Sequence, residues 1–288
     1  MMQKSTLLHL RIPFSIFLMP VFLFAFSQAL TIDWIKTSIA FVAIHLFLYP
    51  ASNGFNSYFD KDKESIGGLE NPPPVSKELY WASLVFDTIA IGLAFFVSWL
   101  FAVALLIYGL VSKAYSHPSI RLKKYPFASW LTIGFFQGFF TYLMSILAIN
   151  DLNFSELWGM HIIVPAILSM LLLLGSYPMT QVYQHYEDAQ RGDKTLSLLL
   201  GVRGTFILTA FAFFIANLGF IGYFYALHSN TSIIIFEVAL SPILVYFGNW
   251  FLKVLKDKSQ ANFKNTMLLN QISSICTSTA FILIRIFA

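Results

Sequence analysis

The chain has 288 residues, of which 57% are hydrophobic and only 11% are charged. Soluble domains carry about 25% charged residues, so this composition predicts an integral membrane protein in a lipid bilayer. The net charge of +4 does not indicate a nucleic-acid partner, because the placement of the basic residues matters more than their number. The single cysteine, Cys276, excludes an intrachain disulfide and a cysteine-based metal site.

Nine apolar runs lie along the chain, each close to the ~20 residues that span a bilayer. They cover residues 12–31, 36–56, 79–98, 99–115, 127–149, 159–182, 205–227, 232–254 and 267–287. The first run has no clear small-residue cleavage site after it, so we expect a retained helix rather than a signal peptide. The pattern predicts an all-α, polytopic protein with nine transmembrane helices.

Basic residues are concentrated in alternate loops. Of the 18 Lys and Arg residues, 16 lie before the first run or after the second, fourth, sixth and eighth runs. The positive-inside rule places this side in the cytoplasm, so we expect a cytoplasmic N-terminus and an external C-terminus. We expect an integral membrane protein, located for example in a bacterial inner membrane.

A polar stretch, YPASNGFNSYFDKDKE, ends the second run at residues 49–64. Asn53, Asn56, Asp60 and Glu64 are spaced three, four and four apart, so a helix would present them on one face within an arc of about 80°. Carboxylates at membrane depth are costly and usually functional. A face of carboxylate and amide oxygens suits Mg²⁺, which takes one or two carboxylates together with substrate phosphate oxygens.

A second stretch, YPMTQVYQHYEDAQRGD, starts at Tyr177 and repeats the first without a gap 128 positions later. The matched pairs are Tyr49/Tyr177, Pro50/Pro178, Asn53/Gln181, Asn56/Gln184, Tyr58/Tyr186 and Asp60/Asp188. We therefore expect two polar helix ends that face each other across a central cavity open to the cytoplasmic side. The single domain, residues 1–288, would consist of two pseudo-repeats at about 12–126 and 127–288.

Another interpretation treats these carboxylates as solvated groups paired with Lys61, Lys63, Arg191 and Lys194. The repetition of uncharged positions, such as Pro50/Pro178 and Tyr58/Tyr186, favours a shared site, because solvation alone does not require it. Asp87 lies within the third apolar run. It either lines the cavity or bonds to a neighbouring helix, and the sequence leaves both open.

These motifs resemble those of the UbiA superfamily of intramembrane prenyltransferases. The run N56-SYF-D60-KDK-E64 is similar to the first NxxxDxxxD signature of that family, and Gly67-Gly68 and Pro72–Pro74 follow it as expected. The run Q184-HYE-D188, followed by Gly192 and Lys194-Thr195-Leu196, is similar to the second signature. The loop from Tyr115 to Lys124 resembles the Tyr/Lys-rich loop after the fourth helix of that family.

The resemblance implies transfer of an isoprenyl group from an isoprenyl diphosphate to a lipophilic or aromatic, quinone-precursor-like acceptor, with Mg²⁺ as cofactor. The expected catalytic residues are Asp60, Asp188, Tyr58 and Tyr186. The expected metal ligands are Asn56, Asp60, Glu64, Gln184, Glu187, Asp188 and Asp193. The expected diphosphate ligands are Asn53, Asn56, Lys61, Lys113, Tyr115, Arg121, Lys123, Lys124, Gln184 and Lys194.

Two positions depart from the family pattern. Glu64 stands where Asp is usual, which keeps the charge but lengthens the side chain. Gln184 also stands where Asp is usual, which removes a carboxylate and weakens the second metal site unless Glu187 or Asp193 substitutes. Two alternatives stay open: a degenerate relative that binds prenyl lipid without turnover, and a transporter built from repeats. A transport site belongs near the midplane, whereas these carboxylates lie at helix ends, which favours the enzyme.

Overall fold

The computed structural model describes residues 2–288, and within them the chain is almost entirely helical. The long helical segments are α1 (Lys4–Gln28), α2 (Trp34–Asp60), α3 (Glu78–Ala94), α4 (Trp99–Ser116), α5 (Pro126–Ile149), α6 (Met160–Gln181), α7 (Leu196–Ala226), α8 (Asn230–Lys256) and α9 (Phe263–Phe287). Over the same residues the sole β-pairing is a bridge between Ile66 and Leu69. The prediction of an all-α polytopic membrane protein is confirmed.

Each predicted apolar run coincides with one of these segments. Within residues 2–288, eight of them are long and apolar enough to cross a membrane, and α3 is shorter, at 17 residues. The division between the third and fourth runs falls where Ser98 caps α4, because its hydroxyl accepts a hydrogen bond from the Phe101 N–H at 3.1 Å. Nine membrane crossings remain a prediction.

Helices α1 and α9 run side by side in the same direction. The Ser274 hydroxyl donates to the Ile16 carbonyl at 2.7 Å, and the Arg285 guanidinium donates to the Ala29 carbonyl at 2.6 Å. Both contacts join positions with nearly the same sequence offset, which defines a parallel pair. The C-terminal end of the chain therefore lies at the opposite end of the bundle from Lys4, as an odd number of crossings requires.

Several long segments are irregular where they approach the centre of the bundle. In α1, Arg11 adopts a left-handed conformation with φ of +48°, and a 3₁₀ turn follows over Ile12–Leu18. Segments α2 and α5 each contain a π-helical turn, at Ala43–Leu48 and Gly134–Phe140. π-helical turns are uncommon and occur frequently at functional sites.

Close helix packing on one side of the bundle depends on a glycine. A Cβ added at Gly138 of α5 would lie 2.6 Å from the Cα of Met170 in α6. Only a residue without a side chain therefore allows the two backbones to approach this closely. The packing holds α6, and with it the second polar stretch, against the π-helical part of α5.

Candidate active site

One cavity of about 590 Å³ occupies the bundle interior at the end where α2, α4 and α6 finish. Its charged end is lined by Asp60, Asp62, Asp188, Asp193, Arg11, Lys123 and Arg191. Its other walls are largely apolar and come from α1, α4, α5, α6, α7, α8 and α9. The cavity therefore combines a charged end with a largely apolar interior.

The first stretch delivers three polar residues to this cavity from a single helix end. Asn53, Asn56 and Asp60 all line it, as their helical spacing predicts. The Asn56 amide donates to the Ser116 hydroxyl at 3.0 Å, which fixes this side chain against α4. The helix ends at Asp60, because Lys61 adopts a left-handed conformation with φ of +50°.

This helix end corrects the prediction for Glu64. The residue lies in the loop beyond the helix and is exposed, so it does not share a helical face with Asp60. Because the chain turns at Lys61, Asp62 lies in the cavity wall instead, where it is 9% exposed. The acidic residue that joins Asp60 is therefore two positions after it rather than four.

The second stretch delivers the matching residues through a different local structure. Tyr177–Gln181 forms a 3₁₀ turn, a short break follows, and His185–Arg191 forms a short helix. Gln181, Gln184 and Asp188 nevertheless all line the cavity. All three polar pairs of the repeat, Asn53/Gln181, Asn56/Gln184 and Asp60/Asp188, are thus brought to one cavity.

Basic side chains pair with the carboxylates of both stretches. The Lys123 ammonium contacts Asp60, and Arg121 binds Asp193 through two contacts of 2.8 Å each. Arg191 contacts Asp62 and also lies 2.7 Å from Asp188. The loop after α4 and the short helix therefore supply the cations that offset the buried negative charge.

The loop after α2 is held in place by residues of the second stretch. Glu187 accepts hydrogen bonds from the backbone N–H groups of Lys63 and Glu64, at 2.9 and 3.0 Å. The Gln184 amide donates to the Ser65 carbonyl at 3.3 Å. Two residues expected to bind metal are therefore engaged by the backbone of this loop, and Glu187 is absent from the cavity lining.

Burial raises the pKa of two cavity-lining acids, Asp188 and Asp62, that lie outside the membrane-spanning segments. It raises the pKa of Asp188 to about 6, although the charge of Arg191 acts in the opposite direction. It also raises the pKa of Asp62 to about 6, with the Asp60 carboxylate adding to the shift. Perturbed carboxyl groups that line a cavity are typical of functional sites.

Several other predicted residues do not reach the cavity. Lys113 is a clear correction, because its ammonium pairs with Asp87 of α3, which settles that Asp87 bonds to a neighbouring helix. Tyr186 is 64% exposed. The cavity lining also omits Tyr58, Lys61, Lys124, Lys194 and Arg121, although Arg121 supports Asp193 from behind. Tyr115 and Lys123 do line it, as expected.

Two charged cavity residues, Arg11 and Asp62, were missed in the sequence. Arg11 comes from α1, where no motif marks it, and it donates to the backbone carbonyls of Gly67 and Asn53 at 3.2 Å each. Asp62 lies two positions after Asp60, and that proximity is its only signal in the sequence. Arg191 is among the expected pairing partners of the carboxylates, and the structure adds that it lines the cavity. Tyr177 also lines the cavity, where its hydroxyl contacts that of Tyr115.

The oxygen-rich donor set fits a hard divalent cation. Asp188 is 5% exposed and its Oδ2 has no hydrogen-bond partner, so one carboxylate oxygen stays available in the cavity wall. Residues 2–288 contain no group of three or more acidic, His or Cys side chains arranged to hold a metal by themselves. Mg²⁺ does not require such a group, because it commonly uses one or two carboxylates and completes its shell with substrate phosphate and water.

The fold and the paired motifs define an intramembrane protein of the UbiA type. The model of the UbiA prenyltransferase family matches residues 16–272, and the chain belongs to that family. No curated protein matches the chain at a significant level.

Solved structures of the same family are similar over nearly the whole chain. A UbiA homologue from Archaeoglobus fulgidus bound to GPP and Mg²⁺ aligns with a TM-score of 0.68 at 17% identity, over 98% of this chain and 99% of that one. The same homologue bound to DMAPP and Mg²⁺ aligns with a TM-score of 0.68 at 16% identity, over 99% and 100%. A digeranylgeranylglyceryl phosphate synthase aligns with a TM-score of 0.63 at 20% identity, over 99% of each chain. At these identities the likeness establishes the fold.

Proposed function

We propose that this protein transfers an isoprenyl group from an isoprenyl diphosphate to an aromatic or other lipophilic acceptor within the membrane, with Mg²⁺ as cofactor. The observation that carries the proposal is the convergence of both motifs, through Asp60 and Asp188, on one end of a cavity whose remaining walls are apolar. An isoprenyl diphosphate has a charged head group and an apolar chain, so it needs a cavity with one charged end and apolar walls. The solved relatives bound to GPP or DMAPP with Mg²⁺ support the substrate class.

The charged end would bind the diphosphate. Asp60, Asp188 and Asn56 would hold Mg²⁺, which when bound stabilises the negative charge that develops on the leaving diphosphate. Among the cavity-lining cations of residues 2–288, only Arg11 has no carboxylate within 4.0 Å. Its Nε is also buried without a hydrogen-bond partner, so Arg11 is ready to donate to a phosphate oxygen.

The apolar walls would hold the isoprenyl chain and exclude water. Phe213 and Phe214 of α7 and Phe236 and Phe247 of α8 line this part of the cavity. Departure of the diphosphate leaves positive charge on the allylic carbon, which aromatic faces stabilise and water would quench. Tyr115 and Tyr177 both line the cavity, and their hydroxyls contact each other. They replace Tyr58 and Tyr186 as our choice for residues near the reacting carbon.

Diphosphate release by the purified protein in detergent tests the proposal. Geranylgeranyl diphosphate would be supplied with and without Mg²⁺, across a panel that includes a hydroxylated aromatic ring, a glycerol-phosphate lipid and no acceptor. We expect Mg²⁺-dependent release that is stimulated by one acceptor class, together with a prenylated product detected by mass spectrometry. Mg²⁺-dependent binding of the diphosphate without release would instead indicate a lipid-binding relative without turnover.

A further inference from the structure

Arg191 connects the acidic groups of the two polar stretches. Its NH1 contacts Asp62 in the loop after α2, and its NH2 lies 2.7 Å from Asp188 Oδ1. Its Nε lies 3.4 Å from Asp193 Oδ2, and NH1 is 3.9 Å from Glu187 Oε2. One guanidinium therefore lies within ion-pair distance of four carboxylates, one of which comes from a different part of the chain.

Such a cation makes the contacts that a bridging metal ion would make. A divalent ion bound in such a site is often its largest local charge, and it is stabilised by the carboxylates around it. Arg191 joins Asp62 to Asp188, and its side chain is only 20% exposed. Because guanidinium is always charged and is held here by several contacts, it is a permanent rather than an exchangeable cation.

The second stretch also lacks the carboxylate that a second ion would need. Gln184 is neutral, and its amide is engaged with the Ser65 carbonyl at 3.3 Å. Glu187 does not replace it in the cavity, because the residue is absent from the cavity lining and its Oε1 accepts from two backbone N–H groups of the loop. The missing negative charge and the resident positive charge both disfavour a second divalent cation in this half of the site.

Asp60 and Asp188 each keep one carboxylate oxygen outside their ion pairs, which leaves ligands for a single ion. Asp188 Oδ2 is buried in the cavity wall without a partner. The ion pairs of Asp60 with Lys123 and Arg121 all use Oδ1. Lys123 carries a single ammonium on a flexible stem, so it can turn to a phosphate oxygen more readily than the multiply bonded Arg191 can.

We propose that this protein binds a single Mg²⁺ with its diphosphate, and that Arg191 serves as a built-in cation in place of a second ion. The inference rests on the proposed function, because it concerns how the same site neutralises the same substrate. Arg191 would hold Asp62 and Asp188 in position and would add its charge to that of the one ion. Mg²⁺ dependence would then follow a simple saturation curve rather than a sigmoidal one.

The number of ions can be counted without turnover. Mn²⁺ would be titrated into purified protein saturated with geranylgeranyl thiolodiphosphate, which is not readily cleaved, and free Mn²⁺ followed by electron paramagnetic resonance. We expect one analogue-dependent Mn²⁺ per chain in the wild type. We expect two in the double variant Arg191→Gln/Gln184→Asp, which removes the resident cation and restores the carboxylate.

A matched double variant controls for the chemistry of the substitutions. Arg203→Gln/Gln190→Asp makes the same two changes at exposed positions outside the cavity lining, and it should still bind one Mn²⁺. Two ions in the wild type would overturn the inference while leaving the proposed function intact, and this count does not depend on how any variant folds. One ion in a folded Arg191→Gln/Gln184→Asp variant would overturn the role of Arg191. No analogue-dependent binding in the wild type would contradict the proposed function as well.

Discussion

The two polar stretches reach the same cavity by different routes. In the first, residues 49–60 form one uninterrupted helix, whereas in the second the equivalent residues pass through a 3₁₀ turn and a break before a short helix. Thr180 and Val182 stand where the first stretch has Ser52 and Gly54, and the Thr180 hydroxyl donates to the Tyr177 carbonyl at 2.7 Å. Such a side-chain bond competes with the helical backbone pattern.

The difference shows which properties of the repeat are retained. Side-chain positions in the cavity are kept for all three polar pairs, although the backbone that carries them is not. The first stretch presents its polar groups directly from a helix end. In the second stretch, Gln184 and Glu187 form hydrogen bonds to the backbone of the loop that follows the first stretch. The second stretch therefore holds this loop in position, in addition to lining the cavity.

The largest expected effect tests whether both stretches bind substrate. Asp60→Ala and Asp188→Ala should each lower Mg²⁺-dependent diphosphate release by about 100- to 1,000-fold, the usual range for loss of a group that stabilises transition-state charge. Initial rates with saturating Mg²⁺ would measure this. Glu70→Ala, an exposed acid in the loop after α2, is the matched control and should keep the wild-type rate. Normal release in Asp188→Ala would limit the site to the first stretch.

A second test separates the two acids that follow Asp60. Asp62 lies in the cavity wall, whereas Glu64 is exposed, so Asp62→Ala should lower kcat/KM by about tenfold, or about 1.4 kcal/mol, and Glu64→Ala by less than about twofold. Both variants remove one acid from the same loop, which makes them controls for each other. The reverse order of effects would restore Glu64 as the second acid of the first motif.

Much of this arrangement could be predicted from the sequence, because the helical segments follow apolar runs and the repeat identifies six polar cavity residues. Contacts between residues that are far apart in the chain could not be predicted in this way. Asp87 of α3 pairs with Lys113 of α4, and Arg191 reaches Asp62 across 129 positions. The end of α2 was also missed, since Lys61 adopts a left-handed conformation that usually favours glycine. Arg11 belongs to no motif at all.

A smaller effect is expected from the contact that joins the two stretches. Glu187→Ala removes the acceptor for two backbone N–H groups of the loop, whereas Glu187→Gln keeps a side-chain oxygen. Loss of such partners costs about 1–3 kcal/mol locally, so the loop should open more often. We expect faster hydrogen exchange over residues 61–69 and a several-fold higher KM for the diphosphate in Glu187→Ala, with substantial recovery in Glu187→Gln.

Separate measurements of kcat and KM distinguish this positioning role of Glu187 from metal binding. A residue that only holds the loop should alter KM and loop exchange while leaving kcat at saturating substrate nearly unchanged. A direct metal ligand would lower kcat and shift the Mg²⁺ concentration needed for half-maximal release. Unchanged exchange with a large loss of kcat in Glu187→Ala would therefore contradict our assignment and return Glu187 to the metal ligands.

The smallest effects on the reaction rate are expected from substitutions of Tyr58 and Tyr186. The repeat favours Tyr58 and Tyr186 as catalytic residues because they occupy equivalent positions, but neither lines the cavity and Tyr186 is 64% exposed. Tyr58→Phe and Tyr186→Phe should keep the rate within about twofold, since removal of a hydroxyl outside the cavity changes no contact with substrate. Tyr115→Phe and Tyr177→Phe are the comparison, because their hydroxyls contact each other in the cavity wall. A loss confined to this second pair would show that the reaction depends on Tyr115 and Tyr177 and not on the repeated pair Tyr58/Tyr186.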